Sequence, residues 1–426
     1  MAFFVTILNK GILKMAIRSL TIFFLLLMSH ITAARSTVYS PKVKTLQMVV
    51  NQDWLSPPVM RIGSDDILNI GFDELSHNYH RYIYWIERCE ADWAPSEGLF
   101  ESDWLHGFNN NPIEDYENSL NTTVSYTHYR LQIPNDRCHI KMSGNYRLHV
   151  SDEENDGEEV LCAEFYVVEP RLNVGLSATT NTDIDFNSSH QQVSMTVNYD
   201  ATMNITNESE QIWTVVMQNG REDNCKINPR PDYIQRNKLQ WVHCRDLIFD
   251  AGNEYHKFEV LDVSHPTMGI DRMSWDGNYY QAYPFADTPR PNYLYDEDAN
   301  GFFYIRNSDN IENDRTSDYV YVNYQMGPVH HYAEDIIIDG VWTTEHPQNY
   351  VMSYDEETHC YRASILQKQG YYSYQYLIRD SDGRTHVLPE EGSFFETENK
   401  YQAFVYYKGV TERTWRLVGY RQIVLK

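Results

Sequence analysis

The stretch "ENSLNTTVSYTHYRLQIP", residues 117–134, brings Ser, His and Asn close together, residue types from which acyl-transfer sites are built. Such chemistry needs a nucleophile, a base and an orienting carboxylate, and the spacing here does not supply that set. From Ser125 onward the residues instead alternate. Tyr129, Leu131 and Ile133 fall on one side, and His128, Arg130 and Gln132 on the other. The pattern predicts a half-buried strand ended by Pro134-Asn135-Asp136, with His128 on its wet face. Two acidic loops invite a calcium reading. "DEENDG" (152–157) and "DEDANG" (296–301) place oxygen-bearing residues at alternate positions before a glycine, the second through Asp296, Asp298 and Asn300. Both lack the bidentate Glu six residues beyond the glycine, where Ala163 and Asn307 stand, so solvated turns are the competing reading. Six cysteines occur and none forms a CxxC. Cys225 and Cys244 bracket a strand-loop-strand and are the pair a disulfide would join first. Buried free thiols acting as small hydrophobes are the alternative. No GxSxG, HExxH, GxxxxGK[ST] or GxGxxG string is present, which speaks against an enzyme or a bound cofactor without excluding chemistry by paired carboxylates, which needs no local motif.

The elements that must carry these residues are strands. "SGNYRLHV" sets Tyr146, Leu148 and Val150 on one face, and "QQVSMTVNYD" repeats the device with Val193, Met195, Val197 and Tyr199. "QIWTVVMQNGRED" places Asn219-Gly220 after an apolar run, a strong two-residue hairpin signal. "KQGYYSYQYLIRDSDG" aligns Tyr372, Tyr374, Tyr376 and Ile378. Short strands separated by Asn/Asp/Gly turns predict an all-β chain of tandem immunoglobulin-like or E-set-like sandwiches. Composition shifts place their limits at 35–170, 171–306 and 316–426, with 307–315 as a polar linker.

The N-terminus reads as a signal peptide over residues 1–34: a basic n-region (Lys10, Lys14, Arg18), an apolar run from Leu20 to Met28, and Thr32-Ala33-Ala34. Met15 is an alternative start. The formal charge is −25, and becomes −28 once Lys10, Lys14 and Arg18 leave with the leader, which holds no acidic residue. A chain this acidic repels phosphate backbones, which excludes nucleic acid as a partner class, and nothing points to a small-molecule substrate. "IIIDGVWTTEHPQNYVMSYDEETHCYRASILQKQGYYSYQYLIRDSDG" resembles the sandwich modules appended to starch and glycogen enzymes. That likeness would make Trp342 and Tyr374 sugar-stacking residues of an exported glucan-binding protein.

A broader likeness runs the length of the mature chain. "IYWIERCEADWAPSEGLFESDWLHGFNNNPIEDYENSLNTTVSYTHYRLQIPN", "FDAGNEYHKFEVLDV", "YYQAYPFADTPRPNYLYDEDANGFFYIRN" and "ENKYQAFVYYKGVTERTWRLVGY" resemble, in order, segments of the type IX secretion system plug protein of Bacteroidota. One departure is His256, where the family pattern favours Arg, which puts a salt bridge there in doubt. The resemblance implies a non-enzymatic periplasmic protein that binds the outer-membrane translocon barrel and closes its pore when no cargo-shuttle protein is bound. Two aromatic stretches are then expected to supply partner anchors: Trp275, Tyr279, Tyr280, Tyr283 and Phe285, and secondly Trp93, Phe100, Trp104 and Phe108. Packing at a domain joint or in a core is the competing role for both sets.

Overall fold

Tyr146, Leu148 and Val150 are fully buried in the strand Gly144–Asp152, as period-two alternation requires. The computed structural model describes residues 36–426, so the expected signal peptide lies outside the described residues. Regular structure is almost entirely β-strand, and no helix among the described residues is long and apolar enough to cross a membrane.

The first sandwich packs two sheets. One runs in the order Thr37–Val38, Glu158–Val168, Gly144–Asp152, Tyr82–Cys89, Asn111–Pro112, with Val59–Arg61 pairing parallel to Glu158–Val168. The other runs Val43–Val50, Leu68–Glu74, Thr127–Ile133, Asp115–Asn118. Inward side chains such as Phe72, Tyr129, Tyr146 and Phe165 fill the space between them. "DEENDG" is the turn of the hairpin joining Gly144–Asp152 to Glu158–Val168.

The second sandwich is discontinuous. Asn173–Thr179, His190–Asn198, Lys238–Trp241 and Tyr233–Gln235 form one sheet, with Ile248–Asp250 beside His190–Asn198. The facing sheet runs Arg221–Ile227, Ile212–Gln218, Asn399–Tyr407, Arg416–Leu425, so the last two strands of the chain complete a domain begun near residue 171. Asn219 and Gly220, at φ 56° and 69°, make the tight turn between Ile212–Gln218 and Arg221–Ile227. Asn399–Tyr407 is buried on both faces. Tyr401, Ala403 and Val405 enter the core of this sandwich, while Phe404 and Tyr406 press outward on the first sandwich at Tyr166 and Val168.

The third sandwich is inserted between those halves. His256–Val260, Gly370–Arg379 and Phe303–Ile305 form one sheet, with Asp335–Asp339 and Thr385–Val387 also on Gly370–Arg379. The other runs Ile270–Trp275, Tyr280–Pro284, Tyr319–Met326, Cys360–Lys368, Ser353–Asp355. Limits at 171–306 and 316–426 are therefore wrong: four strands assigned to the middle domain pack in the third sandwich, and its expected C-terminal strands belong to the second. Local alternation reveals a strand but not its partner, and these pairings span much of the chain. The expected linker also has another role. Residues 306–318 connect strands of the third sandwich, carry the short helix Asn313–Thr316 and lie against the first sandwich.

Candidate partner-binding surface and the joints behind it

The face of Thr127–Ile133 expected to meet water meets the third sandwich instead. His128 is 1% exposed, and its Nδ1 lies 2.6 Å from Asp73 Oδ1. The other oxygen of Asp73 accepts hydrogen bonds from Lys368 Nζ and from Tyr319 OH, each at 2.6 Å. Lys368 also donates to the Asp314 carbonyl and sits 4.2 Å from the ring centroid of Tyr126. Burial opposes charge on Asp73, but Lys368 and His128 together hold its carboxyl below the usual range. Burial pulls the Lys368 ammonium below its usual value, against the attraction of Asp73. An Asp–His pair of the kind used in catalysis thus exists in space, yet its carboxylate is consumed by three donors and has no exposed side. It is a fastener. Thr123 and Val124 extend it by donating to Asp318, and Tyr126 OH donates to the Ser317 carbonyl at 2.7 Å.

A second buried cation fastens the first sandwich to the second. Arg88 donates to the carbonyls of Ser143 (2.9 Å) and Trp415 (2.6 Å) and to Ser96 Oγ. Glu90 beside it accepts from Thr414 Oγ1 and from the Trp415 amide. A third cluster lies inside the inserted sandwich. His256 contacts Asp287 through Nδ1 (2.8 Å) and Glu391 through Nε2 (2.9 Å), so the salt bridge in doubt is made. Burial works against the imidazolium, but the two carboxylates outweigh it and raise its pKa to about 9.

Several expected sites are corrected. Asp296 accepts from Lys257 Nζ, whose ammonium occupies the place of a cation. Asp298 accepts from the amides of Tyr255 and Asn300 (2.5 Å each), and burial raises its carboxyl to about 7; Asn300 is buried beside it, so the loop is a hydrogen-bonded turn. All six cysteines are free. Cys244 lies in the core of the second sandwich and Cys225 packs toward the first, on the other side of a sheet, so they form no disulfide. Trp342 and Tyr374 are 8% and 2% exposed, and the Trp342 indole N–H donates to the Ser373 carbonyl. Both belong to the core of the third sandwich, which removes the sugar platform.

The expected partner anchors divide in the same way. Trp104 is 6% exposed and packs in the first core, and Trp93 is half-buried against Tyr166 with Arg147 over its ring. Trp104 is therefore no surface anchor: the short helix Glu101–Trp104 turns it inward and leaves Phe100 and Phe108 on the outside, 74% and 77% exposed. In the hairpin of Ile270–Trp275 and Tyr280–Pro284, Trp275 and Phe285 are 49% and 60% exposed. Tyr279, Tyr280 and Tyr283 are half-buried beside them, against Tyr321, Trp275 and Arg272 respectively. This hairpin forms the outer edge of the third sandwich, not a joint between domains. Its edge strand thus carries exposed and half-buried aromatic rings along an unpaired rim. The joint residues Asp73, Lys368, Tyr319, Arg88 and Glu90 carried no local signal. They come from distant strands.

A family model described as type 9 secretion system plug protein 1st domain matches residues 43–169, the span of the first sandwich. A hypothetical protein from Parabacteroides merdae ATCC 43184, solved by crystallography, is similar at 34% identity with a TM-score of 0.88, over 92% of this chain and 99% of that one. A Salmonella alpha-2-macroglobulin mutant gives 10% identity and a TM-score of 0.16 over 92% of this chain and 24% of that one, a correspondence too low to inform the fold. No curated protein matches the chain.

Proposed function

The chain belongs to the type 9 secretion system plug protein family, and we propose that it is the periplasmic stopper of that system's outer-membrane translocon barrel. In this reading it binds the periplasmic mouth of the barrel and closes the pore while no cargo-shuttle protein is bound. The observation that carries the reading is the family match over residues 43–169. The physics of the molecule agrees with it. A stopper acts by bulk and must not deform, and here the first sandwich is tied to both others through buried charges and aromatic packing. It must also present a surface that holds a partner, and the Trp275–Phe285 edge offers large rings without covering strands. Export through the leader at residues 1–34 would deliver it to the periplasm.

The test is capture with the mature chain as bait from detergent-solubilised outer membranes, with mass-spectrometric identification. The expected result is a giant β-barrel protein of the secretion system. A second arm deletes the protein and measures outer-membrane permeability to a large hydrophilic dye, which should rise. Failure to retain the barrel, or unchanged permeability, overturns the reading.

A further inference from the structure

The outer face of the first sandwich holds a set of side chains that the stopper reading leaves unused. His149 and Cys162 are directly opposed across the strands Gly144–Asp152 and Glu158–Val168, and Glu159 reaches over them from the start of the second strand. Their ligand atoms all lie within 4.8 Å of one another. His149 is 8% exposed and Cys162 is 5% exposed, while the Glu159 side chain is 37% exposed and opens the group to solvent. The imidazole is held in place by Trp85, whose ring stacks on it at 3.8 Å and 6°. Its Nδ1 lies 2.6 Å from Glu159 Oε1, whereas its Nε2 is buried with no hydrogen-bond partner, 3.7 Å from Glu87 Oε2.

We propose that His149, Glu159 and Cys162 form a binding site for a zinc ion. The donor set of one imidazole, one carboxylate and one thiolate suits a borderline-soft, tetrahedral cation, and the fourth position is left for water. Zinc bonds of roughly 2.0–2.3 Å require the ligand atoms to draw together, and Glu159 is free to do so from the solvent side. Ligation through Nδ1 leaves Nε2–H directed at Glu87, the kind of carboxylate that commonly orients a metal-bound histidine. The surroundings favour a cation: Glu87 and Glu164 share one guanidinium, Arg147, and Glu159 adds a third carboxylate beside His149. Ligation through sulfur requires the Cys162 thiolate, so metal entry displaces the thiol proton to solvent. The bound ion would tie together the two strands that flank the 152–157 turn, in the sheet that also carries Arg88.

Cobalt(II) titrated into the intact mature chain is the direct probe. One equivalent should bind and produce a near-ultraviolet sulfur-to-cobalt charge-transfer band, which zinc then displaces. Cys162→Ser should abolish the band, and Glu87→Gln should weaken binding about 10- to 100-fold while keeping it. Cys138→Ser, at a buried thiol outside the cluster, should leave both intact. His149→Gln, checked for native circular dichroism, serves should Cys162→Ser misfold, and it too should abolish stoichiometric binding. Absence of one-equivalent binding by the unaltered chain overturns the proposal, as does loss of the band in Cys138→Ser but not in Cys162→Ser. None of these readouts depends on the translocon.

Discussion

His256 shows how two carboxylates decide the charge of a buried imidazole. Its folded pKa of about 9 lies above the unfolded value near 6.5, so the proton is bound more tightly in the folded state. The resulting stability is complete below about pH 6.5 and is lost as pH rises through about 9, on the order of 3 kcal/mol. Urea denaturation across this window should therefore show stability falling in the unaltered chain but nearly level in His256→Arg, whose guanidinium stays charged. An equal slope in the variant would assign the titration elsewhere. Lys368 makes the complementary case. Lys368→Met takes the ammonium partner from the buried Asp73, leaving it only His128 and Tyr319, and should cost about 3–5 kcal/mol, most of it recovered in the Asp73→Leu, Lys368→Met double variant. Denaturation of the pair and of both single variants measures the coupling directly. His128 was readable as a strand residue, since Tyr129 and Ile133 on the opposite face are fully buried as alternation predicts. Its own burial was not readable, because what covers it arrives with Lys368 and Asp314 from far along the chain.

At the scale of elements, strands and turns were largely legible and their pairing was not. The Asn219-Gly220 turn, the inward Val193, Met195 and Val197, and the Tyr372, Tyr374, Tyr376 row stand where the sequence puts them. The strand Asn399–Tyr407 reads as a strand too, and its pairing with the next strand, Arg416–Leu425, is local, but nothing local says that its other edge bonds to Ile212–Gln218. That pairing makes a prediction about fragments. Residues 253–394, which contain every strand of the inserted sandwich, should fold alone, whereas residues 316–426 should not, having lost one sheet's partners and acquired an orphaned hairpin. Circular dichroism with thermal melting separates the two, and a cooperative melt for 316–426 would refute the inserted arrangement. Truncation before Asn399 should likewise unfold the second sandwich, because it removes Tyr401, Ala403 and Val405 from that core.

For the whole molecule the question is which surface meets the partner. Trp275→Ala and Phe285→Ala should each weaken translocon capture by about tenfold or more, with the thermal unfolding midpoint nearly unchanged, as expected of exposed anchors. Trp104→Ala should do the reverse, lowering stability by about 3–5 kcal/mol through its cavity without a specific loss of binding. Parallel capture and melting assays distinguish these outcomes, and a fall in midpoint for Trp275→Ala would make that ring a core residue. The acidity of the mature chain adds a further expectation: with a basic barrel mouth, the association rate falls as salt is raised while the dissociation rate changes little, and an association rate that rises with salt assigns the mouth an acidic surface.

The sequence by itself determined the all-β class, the faces of most strands, the tight turns and the family likeness. All of these depend on residues near one another in the chain, where side-chain alternation and backbone preference act. Tertiary structure alone decided that the second sandwich encloses the third, that His128 is buried beside Asp73 and Lys368, and which aromatic rings remain outside. Period two shows which side chains share a face of a strand. It carries no information on what will cover that face, since the covering surface is brought by pairing between distant segments and exists only once the sheets have assembled.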